Sequence, residues 1–448
     1  MGSRRIDVQA LIDTHELSAV QKRLLLLCFL VVAVDGFDTA VIGFIAPALR
    51  AEWRLEVSRL GPLFAAGLVG LMAGAFAVGP LADRYGRKAL LVASMLVFGL
   101  ATLVSSLSRD IGTLTWLRFL TGVGLGGAMP TSLTLAAEYC PARRRASLVT
   151  LMFCGFTIGS ALGGLIAAQV LDRYGWRPLL VGGGVVPLAL APVLWWTLPE
   201  SVRYLLATGA QKSRIAAVLS RIAPGVDLRG ATFAGTTAPQ VSPVRQVFSG
   251  GLMGGTLLLW LAFFMSLLVV YLLSNWMPTL IRSTGASLGH AAFVTAMLQV
   301  GGTIGAIAIG RLMDALNPHR VLGAAYASGA AFIVLISLTT ASPWLMALAV
   351  FSAGFCVSGG QVGANALSAA FYPTPYRATG VSWANGIGRS GSIVGSLLGG
   401  WMLALGWEVT TVYSLVAIPA LVAAAALLVL GANERRRDAV SLCTGVQE

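Results

Sequence analysis

Charge is what this sequence has least of: only 11% of its 448 residues are Asp, Glu, Lys or Arg, against about 25% in an ordinary soluble domain. With 56% hydrophobic residues and a mean hydropathy of +0.81, too few polar side chains exist to cover a water-soluble globule. The same composition excludes a disordered chain, a collagen-like chain and a disulfide scaffold. Histidine is scarce: His15 and His319 lie outside the long apolar runs and His290 stands at the very start of one. Neither a metal-ligand cluster nor a nucleophile–base set is therefore expected inside those runs, so no enzyme, no metal and no cofactor is predicted. The five cysteines are scattered without paired spacing, which speaks against disulfides. Residues 1–22 are polar and carry no cleavable signal pattern.

Apolar runs are what the chain has in abundance. Twelve of them, at about 24–49, 60–82, 89–108, 112–138, 146–170, 178–198, 250–280, 288–313, 321–341, 343–370, 378–403 and 408–431, meet the roughly 20 residues a bilayer crossing needs. Six precede and six follow a long, basic, helix-poor break at 199–249. The predicted fold is thus an all-α membrane protein of two six-helix bundles, 23–198 and 250–431. These are flanked by segments 1–22 and 432–448 and joined by the linker 199–249. Of 31 Lys and Arg residues, 22 fall on the side of the termini and linker and seven on the other. That asymmetry places both termini in the cytoplasm. It also accounts for the net charge of +13 without nucleic acid, because the basic residues form no patch. A monomer in the inner membrane is expected.

The two halves repeat. Residues 155–164 (GFTIGSALGG) match 391–400 (GSIVGSLLGG) at an offset of 236, 79–83 (GPLAD) match 310–314 (GRLMD) at 231, and 136–139 (AAEY) match 369–372 (AAFY) at 233. Paired halves put a substrate site at their interface near the bilayer midplane.

Four ionisable residues lie inside the apolar runs, away from their ends: Asp35, Asp38, Arg118 and Arg389. Each costs about 2.5–3.5 kcal/mol or more at mid-membrane, and so calls for a reason. Asp35 and Asp38 share one helix face, Asp35 roughly 16 Å from the start of its run. Two partly desolvated carboxylates can take a proton in one conformation and release it in another. The alternative is a structural pair held ionised by Arg118, which lies within a turn or two of Asp38 in depth. Arg389 stands 11 residues into its run, with no acidic residue inside the second half to neutralise it. Its planar fork fits a carboxylate in two-point contact, or else caps carbonyls between helices.

Residues 79–88 (GPLADRYGRK) resemble the loop signature of the major facilitator superfamily. Residues 199–203 (PESVR) and 138–143 (EYCPAR) resemble further signatures of its sugar-porter-like members. The resemblance implies a cytoplasmic lock of ion pairs and helix-end contacts drawn from Gly79, Asp83, Arg84, Gly86, Arg87, Glu138, Arg143, Glu200 and Arg203. A narrower resemblance rests on 35–49 (DGFDTAVIGFIAPAL), 117–122 (LRFLTG), 317–320 (NPHR), 376–383 (YRATGVSW) and 386–389 (GIGR). On these the chain is similar to the aromatic acid:proton symporter family, and within it to importers of 4-hydroxybenzoate and protocatechuate. The resemblance implies proton-coupled import of an aromatic carboxylate by alternating access, in the service of aromatic catabolism. Phe264, Tyr271, Ser274, Asn275, Trp276, Gln361, Asn365 and Trp383 are candidates for the walls and polar grip of such a site. His319, in the loop after span 8, is a candidate gate. Efflux by the same fold is the competing reading, less favoured because exporters commonly carry a proline where this chain has Ser160. A membrane chemoreceptor or enzyme is weaker still.

Overall fold

The computed structural model describes residues 5–223, 226, 231–234, 247–248, 252–339, 342–373 and 377–444. Among them are twelve long helices: α2 (Ala19–Trp53), α3 (Leu60–Tyr85), α4 (Arg87–Ser105), α5 (Ile111–Tyr139), α6 (Ala142–Tyr174), α7 (Arg177–Thr197), α10 (Met253–Ser283), α11 (Leu288–Ala315), α12 (Pro318–Leu338), α13 (Pro343–Phe371), α14 (Arg377–Ala404) and α15 (Val409–Thr444). Short helices α1 (Val8–Thr14), α8 (Val202–Ala207) and α9 (Lys212–Ile222), a 3-10 turn at Val57–Arg59, and strands β1 (Arg5–Asp7) and β2 (Thr232–Ala234) accompany them. Each predicted span overlaps one of the long helices, with 250–251 and 340–341 lying outside the described residues. Several run past their apolar limits, because a helix satisfies its own backbone hydrogen bonds in water as well as in lipid. Eleven of the twelve are long and apolar enough to cross a membrane. The exception, α14, is diluted by Asn385, Arg389, Ser390, Ser392 and Ser396.

The sequence repeat becomes a repeated helix crossing. A Cβ on Gly155 of α6 would stand 2.9 Å from the Phe29 carbonyl oxygen of α2, and one on Gly159 1.8 Å from that of Ala33. The matching Gly391 and Gly395 of α14 press equally on the carbonyls of Phe264 and Leu268 in α10, at 2.2 and 2.4 Å. Only hydrogen fits at these four positions, so glycine lets the backbones meet.

Contacts divide the chain into two compact units. The first comprises Met1–Thr39, Ala66–Ser160 and Arg177–Ala238. Within it β1 pairs in parallel with β2, Ile6 opposite Phe233, and Val8, Leu11 and Ile12 of α1 join Ile215, Leu219 and Ile222 of α9 in one apolar cluster. The linker is therefore not helix-poor, which corrects the sequence reading. Ile215, Leu219 and Ile222 recur at i, i+4 and i+7, an amphipathic pattern that a search for long apolar runs passes over.

The second unit comprises Ala40–Ala65, Ala161–Trp176 and Pro239–Glu448. Here the ends of α2, α3 and α6 remote from the N-terminus pack on C-terminal helices. Phe64 meets Trp276 edge to face at 5.1 Å, and a Cβ on Gly43 would touch the Ser274 carbonyl oxygen at 2.6 Å. Asp172 accepts a 3.0 Å hydrogen bond from the Gly289 N–H in the first turn of α11, a favourable place for a carboxylate.

Candidate functional site

The first charged cluster is built on α2. The crossing with α6 continues past Gly36, where a Cβ would stand 2.0 Å from the Phe156 carbonyl oxygen. The Ser160 hydroxyl donates to the Gly36 carbonyl at 2.7 Å. These contacts fix the turn that carries Asp35 and Asp38, which are 1% and 0% exposed. Arg118 of α5 reaches Asp38 in two-point contact, Nη1 to Oδ1 at 3.1 Å and Nη2 to Oδ2 at 2.5 Å, and also donates to its backbone carbonyl at 3.3 Å. Thr102 of α4 adds a hydroxyl hydrogen bond to the same Oδ1 at 3.1 Å, with the Thr121 hydroxyl 3.5 Å away. Asp35 accepts from Thr39, one turn along α2, at 3.2 Å. Asp38 is thus held by an arginine on a neighbouring helix, and Asp35 accepts a hydrogen bond within its own helix.

The candidates of the second half lie on α10, α13 and α14. Half-buried Arg389 donates from Nη1 to the Tyr271 hydroxyl at 3.2 Å, and among the described residues no carboxylate forms an ion pair with it. Phe264, Tyr271 and Asn275 follow one face of α10 at i, i+7 and i+11. Asn275 donates to the Ser396 hydroxyl at 2.9 Å and Trp276 to the Ser396 carbonyl at 2.8 Å, so both are locked to α14. Ser274 accepts from Gln299 at 3.3 Å. On α13 the Asn365 amide donates to the Gln361 carbonyl at 3.2 Å, while the buried Gln361 Oε1 meets no donor. Trp383 stands elsewhere: 43% exposed, it stacks on Trp260 at 5.9 Å, in the manner of an interfacial aromatic.

A sequence model of the Major Facilitator Superfamily matches residues 28–282 and 259–441. The chain belongs to that superfamily. It is 47% identical to the 4-hydroxybenzoate transporter PcaK of Pseudomonas aeruginosa, over 95% of this chain and 96% of that one. Identity is 46% to the gallate transporter of Pseudomonas putida, over 95% of both. The structure is similar to that of a D-xylose-proton symporter, with a TM-score of 0.67, 18% identity, and coverage of 90% of this chain and 96% of that one.

The facilitator's loop signatures converge inside the first unit. Arg87 forms an ion pair with Glu138, whose other oxygen accepts from the Ser201 hydroxyl at 2.5 Å. Glu200 caps α4, its Oε1 accepting from the Arg87 and Lys88 N–H groups at 3.0 and 3.1 Å. The cap needs Gly86: its φ is +90°, and a Cβ would stand 2.6 Å from the Glu200 carboxylate. The Tyr139 hydroxyl donates to the Glu200 carbonyl at 2.6 Å, and that of Tyr204 to the Arg84 carbonyl at 3.2 Å. Arg143 and Arg203 are exposed and take no part in these bonds. Gly79 and the Asp83 side chain lie outside the described residues. Burial pushes the Cys140 thiol between α5 and α6 up to about 11, keeping it neutral.

His319 is not in a loop. It occupies the first turn of α12, whose N-terminus is capped by Asn317 and opened by Pro318, and its Nε2 lies 3.2 Å from a Glu434 carboxylate oxygen. Asn-Pro before an apolar run is a helix start, and that signal locates the residue correctly. Thr102 and Glu434 were invisible to sequence reading. A threonine in an apolar run carries no charge to flag it, and Glu434 lay beyond the predicted end of its helix.

Proposed function

We propose that this facilitator carries an aromatic carboxylate, of the class of 4-hydroxybenzoate, protocatechuate or gallate, across the inner membrane together with protons. The observation that carries this reading is Arg389. A half-buried guanidinium whose hydrogen bond goes to a tyrosine hydroxyl, in the one long helix among the described residues without a membrane-span stretch of sufficient apolarity, suits a carboxylate ligand; the fork offers two parallel N–H bonds. The names of the relatives support the ring. Tyr271 and the unmet Gln361 Oε1 supply a donor and an acceptor for ring hydroxyls.

Asp35 and Asp38 are assigned the proton-coupling role, with Arg118 holding Asp38 in the arrangement observed. An aromatic acid entering as an anion is opposed by an inside-negative potential at about 2.3 kcal/mol per charge per 100 mV. One accompanying proton cancels that cost and a second reverses it. Import follows from this coupling, with both termini cytoplasmic and a single chain sufficient. The lock residues Arg87, Glu138 and Glu200 brace the cytoplasmic end of the first unit as the transporter alternates between states.

Uptake of labelled 4-hydroxybenzoate into cells or proteoliposomes, with and without a protonophore, tests the reading. Strong uptake abolished by the protonophore is expected. Undiminished uptake after collapse of the gradient removes proton coupling, and no uptake of any hydroxybenzoate removes the substrate class.

A further inference from the structure

A cavity of about 150 Å³ opens where α1, α2 and α6 meet at the N-terminal end of the first unit, lined by His15, Glu16, Leu17, Lys22, Pro141, Arg143 and Arg144. Its walls are tied in place. Ser18 and Gln21 form a reciprocal cap at the start of α2, at 2.8 and 3.3 Å. The Ala142 N–H that opens α6 donates to Asp13 of α1 at 2.7 Å. The Gln21 amide donates to the Tyr139 carbonyl at 2.7 Å, and His15 Nδ1 lies 2.9 Å from the Leu11 carbonyl. The cavity is therefore formed in advance of any ligand.

Its charge is unbalanced. Three cations, Lys22, Arg143 and Arg144, face one carboxylate, Glu16, and among the described residues none of the three cations forms an ion pair. Depth is equally specific. The apolar runs of α2 and α6 begin at residues 24 and 146, so at 1.5 Å per residue Lys22 and Arg144 lie about 3 Å, and Arg143 about 5 Å, outside the hydrocarbon. The headgroup layer occupies roughly 5–8 Å on each side. Leu17 and Pro141 offer an apolar wall beside the cations. Positive charge that only fixes topology needs neither convergence on one cavity nor this depth.

We propose that this cavity binds the phosphate group of an anionic phospholipid, Lys22, Arg143 and Arg144 holding the phosphate and Leu17 and Pro141 meeting the glycerol. The chemistry read is a phosphate group, and the source is settled by three titrations of the purified full chain in a zwitterionic detergent. The probes are short-chain phosphatidylglycerol, phosphatidylcholine and inorganic phosphate. Phosphatidylglycerol is expected to bind and raise the melting temperature, and phosphatidylcholine to do neither. The triple substitution Lys22→Gln, Arg143→Gln, Arg144→Gln is expected to weaken phosphatidylglycerol about a hundredfold, from three interfacial cations at about fivefold each. Glu16→Gln, which removes the opposing charge, is expected to tighten it, a gain that misfolding cannot mimic. Inorganic phosphate binding as tightly as the lipid would assign the site to free phosphate while keeping its chemistry. Equal affinity of the triple variant and the parent protein, or equal binding of phosphatidylcholine, overturns the proposal.

Discussion

The two repeats use the same backbone crossing and opposite electrostatics. Gly155 and Gly159 against Phe29 and Ala33, and Gly391 and Gly395 against Phe264 and Leu268, are equivalent contacts. Yet the N-terminal repeat encloses two aspartates and an arginine, with Asp38 and Arg118 in a fully buried ion pair. The C-terminal repeat encloses Arg389, hydrogen-bonded to a tyrosine. A duplicated scaffold thus supplies one half whose buried arginine is compensated by Asp38 and another with a cation to offer. On the proposed reading, the compensated half exchanges a proton and the other takes an anion.

Removing one partner from the compensated half has the largest expected effect. Arg118→Ala leaves the Asp38 carboxylate buried beside Thr102 alone, and breaking a buried pair in this way costs about 3–5 kcal/mol. A clear fall in melting temperature in detergent is expected. The double substitution Asp38→Leu, Arg118→Met should recover most of that stability while abolishing gradient-driven uptake. If Arg118→Ala melts like the parent chain, the pair does not organise this half.

Arg389→Ala tests the other half. Its side chain closes no ion pair among the described residues, so stability should change little, whereas losing a two-point charge-assisted contact should cost about 3 kcal/mol of ligand binding, or about a hundredfold in Kd. Arg389→Lys keeps the charge without the fork and should fall between. Competition with benzoate, gallate and muconate reads the affinity. Retained binding in the alanine variant would return Arg389 to a structural role and dissolve the contrast between halves.

How much of this was legible in the sequence follows from what each residue must do there. Asp35, Asp38, Arg118 and Arg389 stand out because hydrocarbon tolerates few charges. The Asp38–Arg118 pairing was an alternative that depth allowed, at 1.5 Å per residue. The glycine crossings showed as a repeat, since only glycine serves where carbonyls approach within 3 Å. The amphipathic α9 and the β1–β2 pairing were missed: neither has a long apolar run, and parallel pairing between residues more than 200 apart leaves no local mark. Trp276 read as a wall candidate, yet it is fully buried between Phe64 and Ser396. An aromatic side chain carries no sign of which neighbour it will meet.

Asp35→Asn sharpens the division of labour within the compensated half. The substitution keeps size and can still accept from Thr39 at the amide oxygen, so the fold should be retained. Gradient-driven uptake should fall about tenfold or more, the scale of losing a positioned proton carrier, while exchange of labelled for unlabelled substrate across the membrane continues. Equal losses of uptake and exchange would mean that Asp35 serves binding rather than coupling.

Thr102→Val is the smallest change and the most discriminating for the geometry around Asp38. It deletes one hydroxyl and preserves shape, so its cost should be that of a single hydrogen bond to a charged group, about 1.5 kcal/mol, against the larger cost of Arg118→Ala. The two substitutions act on the same carboxylate oxygen, Thr102 at 3.1 Å and Arg118 Nη1 at 3.1 Å, so their effects should not add. In the double variant a coupling energy of about 0.5 kcal/mol or more is expected. Additive losses would separate Thr102 from the pair and make its hydroxyl a neighbour of Asp38 rather than part of its hold.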